Sequence, residues 1–187
     1  MYETINIEKV EQSCPACEEY AKKHSTKPPR IAVMACEGAC SKGEVARLAA
    51  NLVAHGLARE ETVRICLGGA FTKNTGQRNL VRRANKTIAI EGCFISCSSR
   101  MMKGVLPEID LEIIRADMLY ESDLPFGIDE VPEEELKGYA REVAEIVVKE
   151  HVSKAVPGRK KAKTVPGSNT FKNNKPNCCG NYGENSS

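Results

Sequence analysis

The stretch Arg30–Gly56, RIAVMACEGACSKGEVARLAANLVAHG, decides how this chain folds. Its first seven residues form a β-rich apolar run behind the breaker KPPR, which predicts a strand over Arg30–Cys36. From Ser41 the rhythm changes. Val45, Leu48, Ala49, Leu52 and Val53 recur at the i, i+3, i+4, i+7, i+8 spacing of one helix face. Ser41 and Glu44 have capping-box spacing, and Gly56 is placed to end the helix.

The same cycle recurs downstream. TVRICL (Thr62–Leu67) reads as a second strand, and the loop GGAFTKNTG leads into a helix over Gln77–Ala84. KTIAIEG (Lys86–Gly92) is a third strand, followed by a short helix from Ile95 to Lys103. EIDLEIIRA (Glu108–Ala116) is the fourth. Pro132–Glu150 predicts the strongest helix. Glu133, Glu134 and Glu135 suit the positive end of its dipole, and Leu136, Tyr139, Ala140, Val143, Ile146 and Val147 supply its buried stripe. Four strand–helix alternations predict an α/β fold: a small doubly wound, Rossmann-like parallel sheet of about four strands with helices on both faces. In the common strand order 2-1-3-4, the first and third strands are neighbours at the topological switch point.

Two segments flank this core. Residues 1–29 carry CPAC (Cys14, Cys17) at the head of a short polar helix, residues 30–151 form the α/β domain, and residues 152–187 shift to Lys, Gly, Pro, Asn and Ser. That last composition has almost no apolar periodicity and predicts a disordered tail. The charge divides the same way. Residues 1–150 carry a net −4 and residues 151–187 a net +6, which together give the +2 of the whole chain.

Hydrophobic residues at 41% and charged residues at 28% are ordinary for a globular protein. The start, MYETINIEKVEQ, lacks a basic region followed by an apolar stretch, so no signal peptide is expected. The longest apolar run, IAVMAC, is too short to span a bilayer. The expectation is a cytoplasmic protein without a membrane partner. In a reducing compartment, nine cysteines, an odd number at close spacings, point to metal binding or thiol chemistry rather than structural disulfides.

Five of those cysteines fall into one pattern. Cys36 ends the first strand and Cys40 precedes the first helix. Cys66 ends the second strand, Cys93 follows the third, and Cys97 enters the next helix. All lie near a strand's carboxyl end, the edge where open α/β sheets place their ligands. Helix N-termini favour thiolates, and thiolates are what Zn²⁺ and iron–sulfur clusters require. A metal ion is therefore the expected partner, held by Cys36, Cys66, Cys93 and Cys97 with Cys40 in reserve. Zn²⁺ is the first choice. An iron–sulfur cluster or a thiol–disulfide redox couple could use the same residues.

ACEGACSKGEVARLAA, CLGGA and TIAIEGCFISCSSRMMKGV, in that order, resemble the DGC-domain family of zinc-binding proteins, named for an Asp-Gly-Cys motif. The resemblance covers roughly residues 30–120 and implies that the family's four cysteines fall on Cys36, Cys66, Cys93 and Cys97. The motif's Asp is Glu91 here, so the carboxylate sits on a longer arm.

The remaining signals are weaker. CPAC has the spacing of a redox dithiol or of half a zinc site, and could join the adjacent Cys178 and Cys179. GRKKAK is a compact cationic run with little aromatic interleaving, which favours a solvated tail over a nucleic-acid partner. GGAFTKNTG matches neither phosphate-binding glycine motif, and Arg78, Arg82 and Arg83 read as the wet face of the following helix. The three histidines form no triad with Ser and Asp, and no catalytic constellation emerges.

Overall fold

The apolar runs form four strands: β1 (Ile31–Ala35), β2 (Thr62–Arg64), β3 (Thr87–Glu91) and β4 (Leu111–Arg115). They make one all-parallel sheet in the order β2-β1-β3-β4, the doubly wound order expected. The computed structural model describes residues 4–8, 11–26, 30–72 and 75–154; the basic run, Cys178 and Cys179 lie outside them. Among the described residues the helices are α1 (Pro15–His24), α2 (Ser41–Leu52), α3 (Leu67–Thr72), α4 (Gly76–Arg83), α5 (Cys97–Val105) and α6 (Glu133–Val147). No helix among them is long and apolar enough to cross a membrane.

Strand alternation builds a core on each face of the sheet. Val33, Ala35, Ile88 and Ile90 join the buried faces of α2 and α6 in one cluster. Ala32, Met34, Val63, Ile65 and Ala89 join residues of α1, α3, α4 and α5 in the other. The α6 stripe is as anticipated at Leu136, Ala140, Val143 and Val147, while Tyr139 and Ile146 are half-buried.

Several local details differ from the sequence reading. Cys40, not Ser41, caps α2: its Sγ accepts the Gly43 N–H at 3.4 Å. Ser41 is fully buried, and its hydroxyl instead donates to Gly127 O at 2.9 Å, tying α2 to the loop before α6. Glu44 pairs with Arg47 rather than with the cap. Gly56 does not end the helix, because α2 widens into a turn over Val53–Leu57 that closes with Ala58 N–H donating to Val53 O at 2.9 Å. β2 stops at Arg64, since the Cys66 N–H turns away to Gln77 Oε1. Leu67, expected as the strand's end, and residues 68–72, expected as loop, are helical despite two glycines, with Ala70 and Phe71 buried. Arg78 leaves the wet face to reach back to it, donating to Ala70 O at 2.7 Å and Phe71 O at 3.0 Å. Arg82 and Arg83 are exposed as anticipated.

Candidate metal centre

The carboxyl ends of β1 and β3 are neighbours, and the cysteine-bearing loops leave from them. Cys36, one residue past β1, is buried, and its N–H donates to Ile90 O at 3.0 Å, which fixes it against β3. Gly92, one residue past β3, lies against the start of α2. A Cβ there would sit 2.6 Å from Lys42 O and 2.7 Å from Gly43 N, so only glycine lets these backbones meet. That close approach brings the end of β3 against the first turn of the helix that Cys40 caps.

Gly38 lies between two sulfurs. A Cβ at this position would be 3.2 Å from Cys36 Sγ and 3.9 Å from Cys40 Sγ. Cys97 enters from the other loop as the first residue of α5, after Ser96, which holds a left-handed φ of 51°. A non-glycine residue in that region is strained by about 1 kcal/mol or more. Burial pushes the Cys36 thiol up, the N–H groups of Gly38 and Gly92 oppose this, and the Cys97 thiol and Glu91 carboxyl push it further. Cys36, Cys97 and Glu91 therefore share one electrostatic neighbourhood.

Two buried polar atoms in this neighbourhood are unpaired. Glu91 is fully buried; its Oε1 accepts from the Ser98 hydroxyl at 2.6 Å, the Ser99 N–H at 2.7 Å and the Ser99 hydroxyl at 2.5 Å. Among the described residues nothing bonds its Oε2. The Tyr120 hydroxyl also lacks a partner there. Burial pushes that phenol up to about 12, with Asp117 and Cys40 adding to the effect. An unsatisfied buried polar group costs about 1–3 kcal/mol, and such groups gather where a site completes their bonding. On the β4 side, Arg115 is held above its usual range by its bonds to Asp117 at 2.7 Å, and Cys93 contributes to the same effect.

The DGC-domain family model matches residues 32–150, well over half of the chain. The chain belongs to the DGC-domain family. Its DGC domain thus spans β1 to the end of α6 and contains Cys36, Cys40, Cys66, Cys93 and Cys97. No curated protein and no solved structure matches the chain.

Cys66 has other company. Its Sγ accepts the Gly69 N–H at 3.5 Å, and Cys17 Sγ lies 3.6 Å from where a Gly69 Cβ would be. Cys17 is half-buried, and its thiol is pushed up to about 12 by burial and then by contact with Cys66 and Cys14. Cys14, at the N-cap of α1, is exposed, and hydrogen bonds from Cys17 lower its pKa. Cys14 and Cys17 precede the matched region, so this second thiol group joins the DGC domain to the segment before it.

The donor chemistry of the first group suits a borderline-soft cation. Cys36 and Cys93 follow strands, Cys40 caps α2 and Cys97 opens α5, all of them free thiols near one sheet edge. Among the described residues no three His, Cys, Asp or Glu side chains already close on a common point. Sequence reasoning missed the parts that hold these loops. Gly38, Gly92, Ser98, Ser99 and Tyr120 carry no periodicity or ligand-type signal. Gly38, Gly92, Ser98 and Ser99 stand inside the stretches that resemble the family, where the cysteines drew the attention, and Tyr120 stands outside them.

Proposed function

We propose that this DGC domain binds Zn²⁺ in a cysteine-thiolate site at the carboxyl edge of its sheet. Cys36 and Cys97 form the centre of that site, and Cys93 and Cys40 are the further donors. The observation that supports this reading is that Cys36 and the loop of Cys93 and Cys97 leave the carboxyl ends of adjacent, hydrogen-bonded strands, where Cys97 adds to the upward push on the Cys36 thiol. Four thiolates suit tetrahedral Zn²⁺, which binds sulfur at about 2.3 Å. When bound, Zn²⁺ would supply the charge that keeps these thiols ionised, held by Cys36 and Cys40 on one side and Cys93 and Cys97 on the other. Glu91 anchors the α5 loop through Ser98 and Ser99, and so orients Cys97 without needing to be a ligand. A domain with two built cores does not need a metal staple to fold, which favours sensing, transfer or binding as the use of the site.

Elemental analysis of protein purified without oxygen tests this. About one zinc per chain and no visible colour are expected. Cys36→Ser and Cys97→Ser should each lose the metal, whereas Cys66→Ser, whose neighbour is Cys17, should keep it. A brown protein with iron and sulfide would replace zinc by a cluster. Unchanged zinc in Cys36→Ser would overturn the site.

A further inference from the structure

The CPAC motif has no role in that metal site, yet the structure gives it a specific partner. Cys14 caps α1 with Pro15 in the first turn, and Cys17 follows one turn later. Helix α1 is bolted to α4 and to the β2–α3 loop by three polar ties. The Glu18 carboxylate accepts the Gly76 N–H, at 2.9 Å and 3.1 Å to its two oxygens. Gly76 permits this approach, because a Cβ there would lie 2.6 Å from the Ala21 Cβ. The Tyr20 hydroxyl accepts the Arg64 N–H at 3.2 Å.

The third tie is the most specific. Gln77 is 1% exposed. Its Oε1 accepts the Cys66 N–H at 3.0 Å, while its Nε2 donates to Cys17 O at 3.2 Å. One buried amide thus holds the backbones of Cys17 and Cys66 in register, and both sulfurs converge on Gly69. Sixty residues of glutamine-to-cysteine separation are bridged to place two thiols side by side. Cys17 also contacts Cys14, so the three sulfurs form a chain with Cys17 in the middle. The outer two are exposed and the middle one is half-buried.

We infer that Cys14, Cys17 and Cys66 form a thiol–disulfide exchange site that reduces a disulfide substrate and passes the resulting protein disulfide inward. An exposed nucleophile, a shielded resolving thiol and a third acceptor in contact with the second are the parts this chemistry needs. The Cys14 thiolate attacks one sulfur of the substrate disulfide, forming a mixed disulfide and expelling one substrate thiolate. Cys17, after losing its proton to water, attacks the Cys14 sulfur, forming the Cys14–Cys17 disulfide and releasing the second substrate thiolate. Both released thiolates take up protons. The substrate gains two electrons and the protein dithiol loses two. Cys66 thiolate then attacks Cys17 sulfur, giving Cys17–Cys66 and restoring free Cys14, with no net redox change. A dithiol reductant returns the pair to its starting state. The site is distinct from Cys36 and Cys97, so it stands or falls apart from the zinc reading.

Oxidised glutathione is the probe. The full reduced chain is exposed to it without oxygen, quenched by alkylation, and its disulfides are mapped by mass spectrometry. Wild type should yield Cys14–Cys17 and Cys17–Cys66 with two glutathiones released for each chain oxidised. Cys17→Ala should lose both internal disulfides and stop with glutathione on Cys14. Cys66→Ala should keep Cys14–Cys17 and lose only the inward transfer. Cys14 and Cys17 lie outside the sheet, and the circular dichroism spectrum and thermal midpoint of Cys17→Ala should match wild type, which controls for folding. If glutathione or a disulfide reaches Cys36, Cys93 or Cys97 before this trio, or if Cys14 in Cys17→Ala stays unmodified, the inference is wrong.

Discussion

Gly38 shows how closely the Cys36 sulfur approaches the backbone of its own loop. Two sulfurs flank the place where its Cβ would be, one at 3.2 Å and one at 3.9 Å. The residue itself is exposed, so adding a methyl group there disturbs the sulfurs and not the core. Gly38→Ala should lower zinc affinity about tenfold, the scale of changes to groups that orient metal ligands, with little change in thermal midpoint. Competition against a chromophoric chelator measures it; equal affinity would mean Cys36 and Cys40 do not ligate together. At this scale the sequence showed which residues carry sulfur and that they sit at strand ends. It did not show that Cys40 doubles as a helix cap, because cap identity depends on where Ser41 finds its partner. That partner, Gly127 O, is 86 residues away.

Among the elements, α1 is the one whose placement depends most on polar contacts. Near its end, His24 accepts a hydrogen bond at Nδ1 from Arg30 at 2.9 Å and stacks on Tyr20 with ring centroids 4.2 Å apart. An Nδ1 that accepts is unprotonated. Burial lowers the His24 pKa, and Arg30, Lys23, His55 and Arg59 lower it further. The folded state therefore binds fewer protons than the unfolded one, whose histidine titrates near about 6.5. Docking of α1 should be complete above that pH and weaken as pH falls through it toward the lower folded value. Amide hydrogen exchange across Pro15–His24, read at several pH values after correction for intrinsic rates, should show protection falling as the pH is taken below about 6.5. His24→Gln should flatten that dependence, and an unchanged slope would remove His24 as its cause. A short polar helix at CPAC was legible from the motif. Its docking site was not, because Glu18 and Gln77 read as ordinary polar residues until folding sets them against backbone N–H groups. Helix α3 was hidden for a related reason: glycine costs a helix about 1 kcal/mol each, and the compensating Arg78 caps come from the next element.

Over the whole molecule, the placement of the Cys40 loop depends on how α2 and α6 pack together against the sheet. Ala46, Ala49 and Ala50 of α2 and Ala140 and Ala144 of α6 are all fully buried in the same core. Small side chains let the two helices approach, and α2 in turn carries its N-terminus to Gly92. Ala144→Leu should overpack this contact and destabilise the fold by about 2–3 kcal/mol. Urea unfolding followed by circular dichroism measures the loss, and a change under about 0.5 kcal/mol would show that the contact has slack.

The sequence by itself determined the alternation of strands and helices and the parallel sheet with helices on both faces. Those follow from local periodicity and the handedness of β–α units, which neighbouring residues encode. It also placed five cysteines at the carboxyl edge, because strand ends are local features. Only the tertiary structure decided how the sulfurs divide. Cys36 and the loop of Cys93 and Cys97 leave adjacent strand ends because β1 bonds β3, and Gly92 admits the start of α2 beside them. Cys66 turns to Cys17 because Gln77 ties their backbones together. Thiol partners are set by side-chain direction over a few ångströms, and that direction is fixed by contacts between residues far apart in the chain.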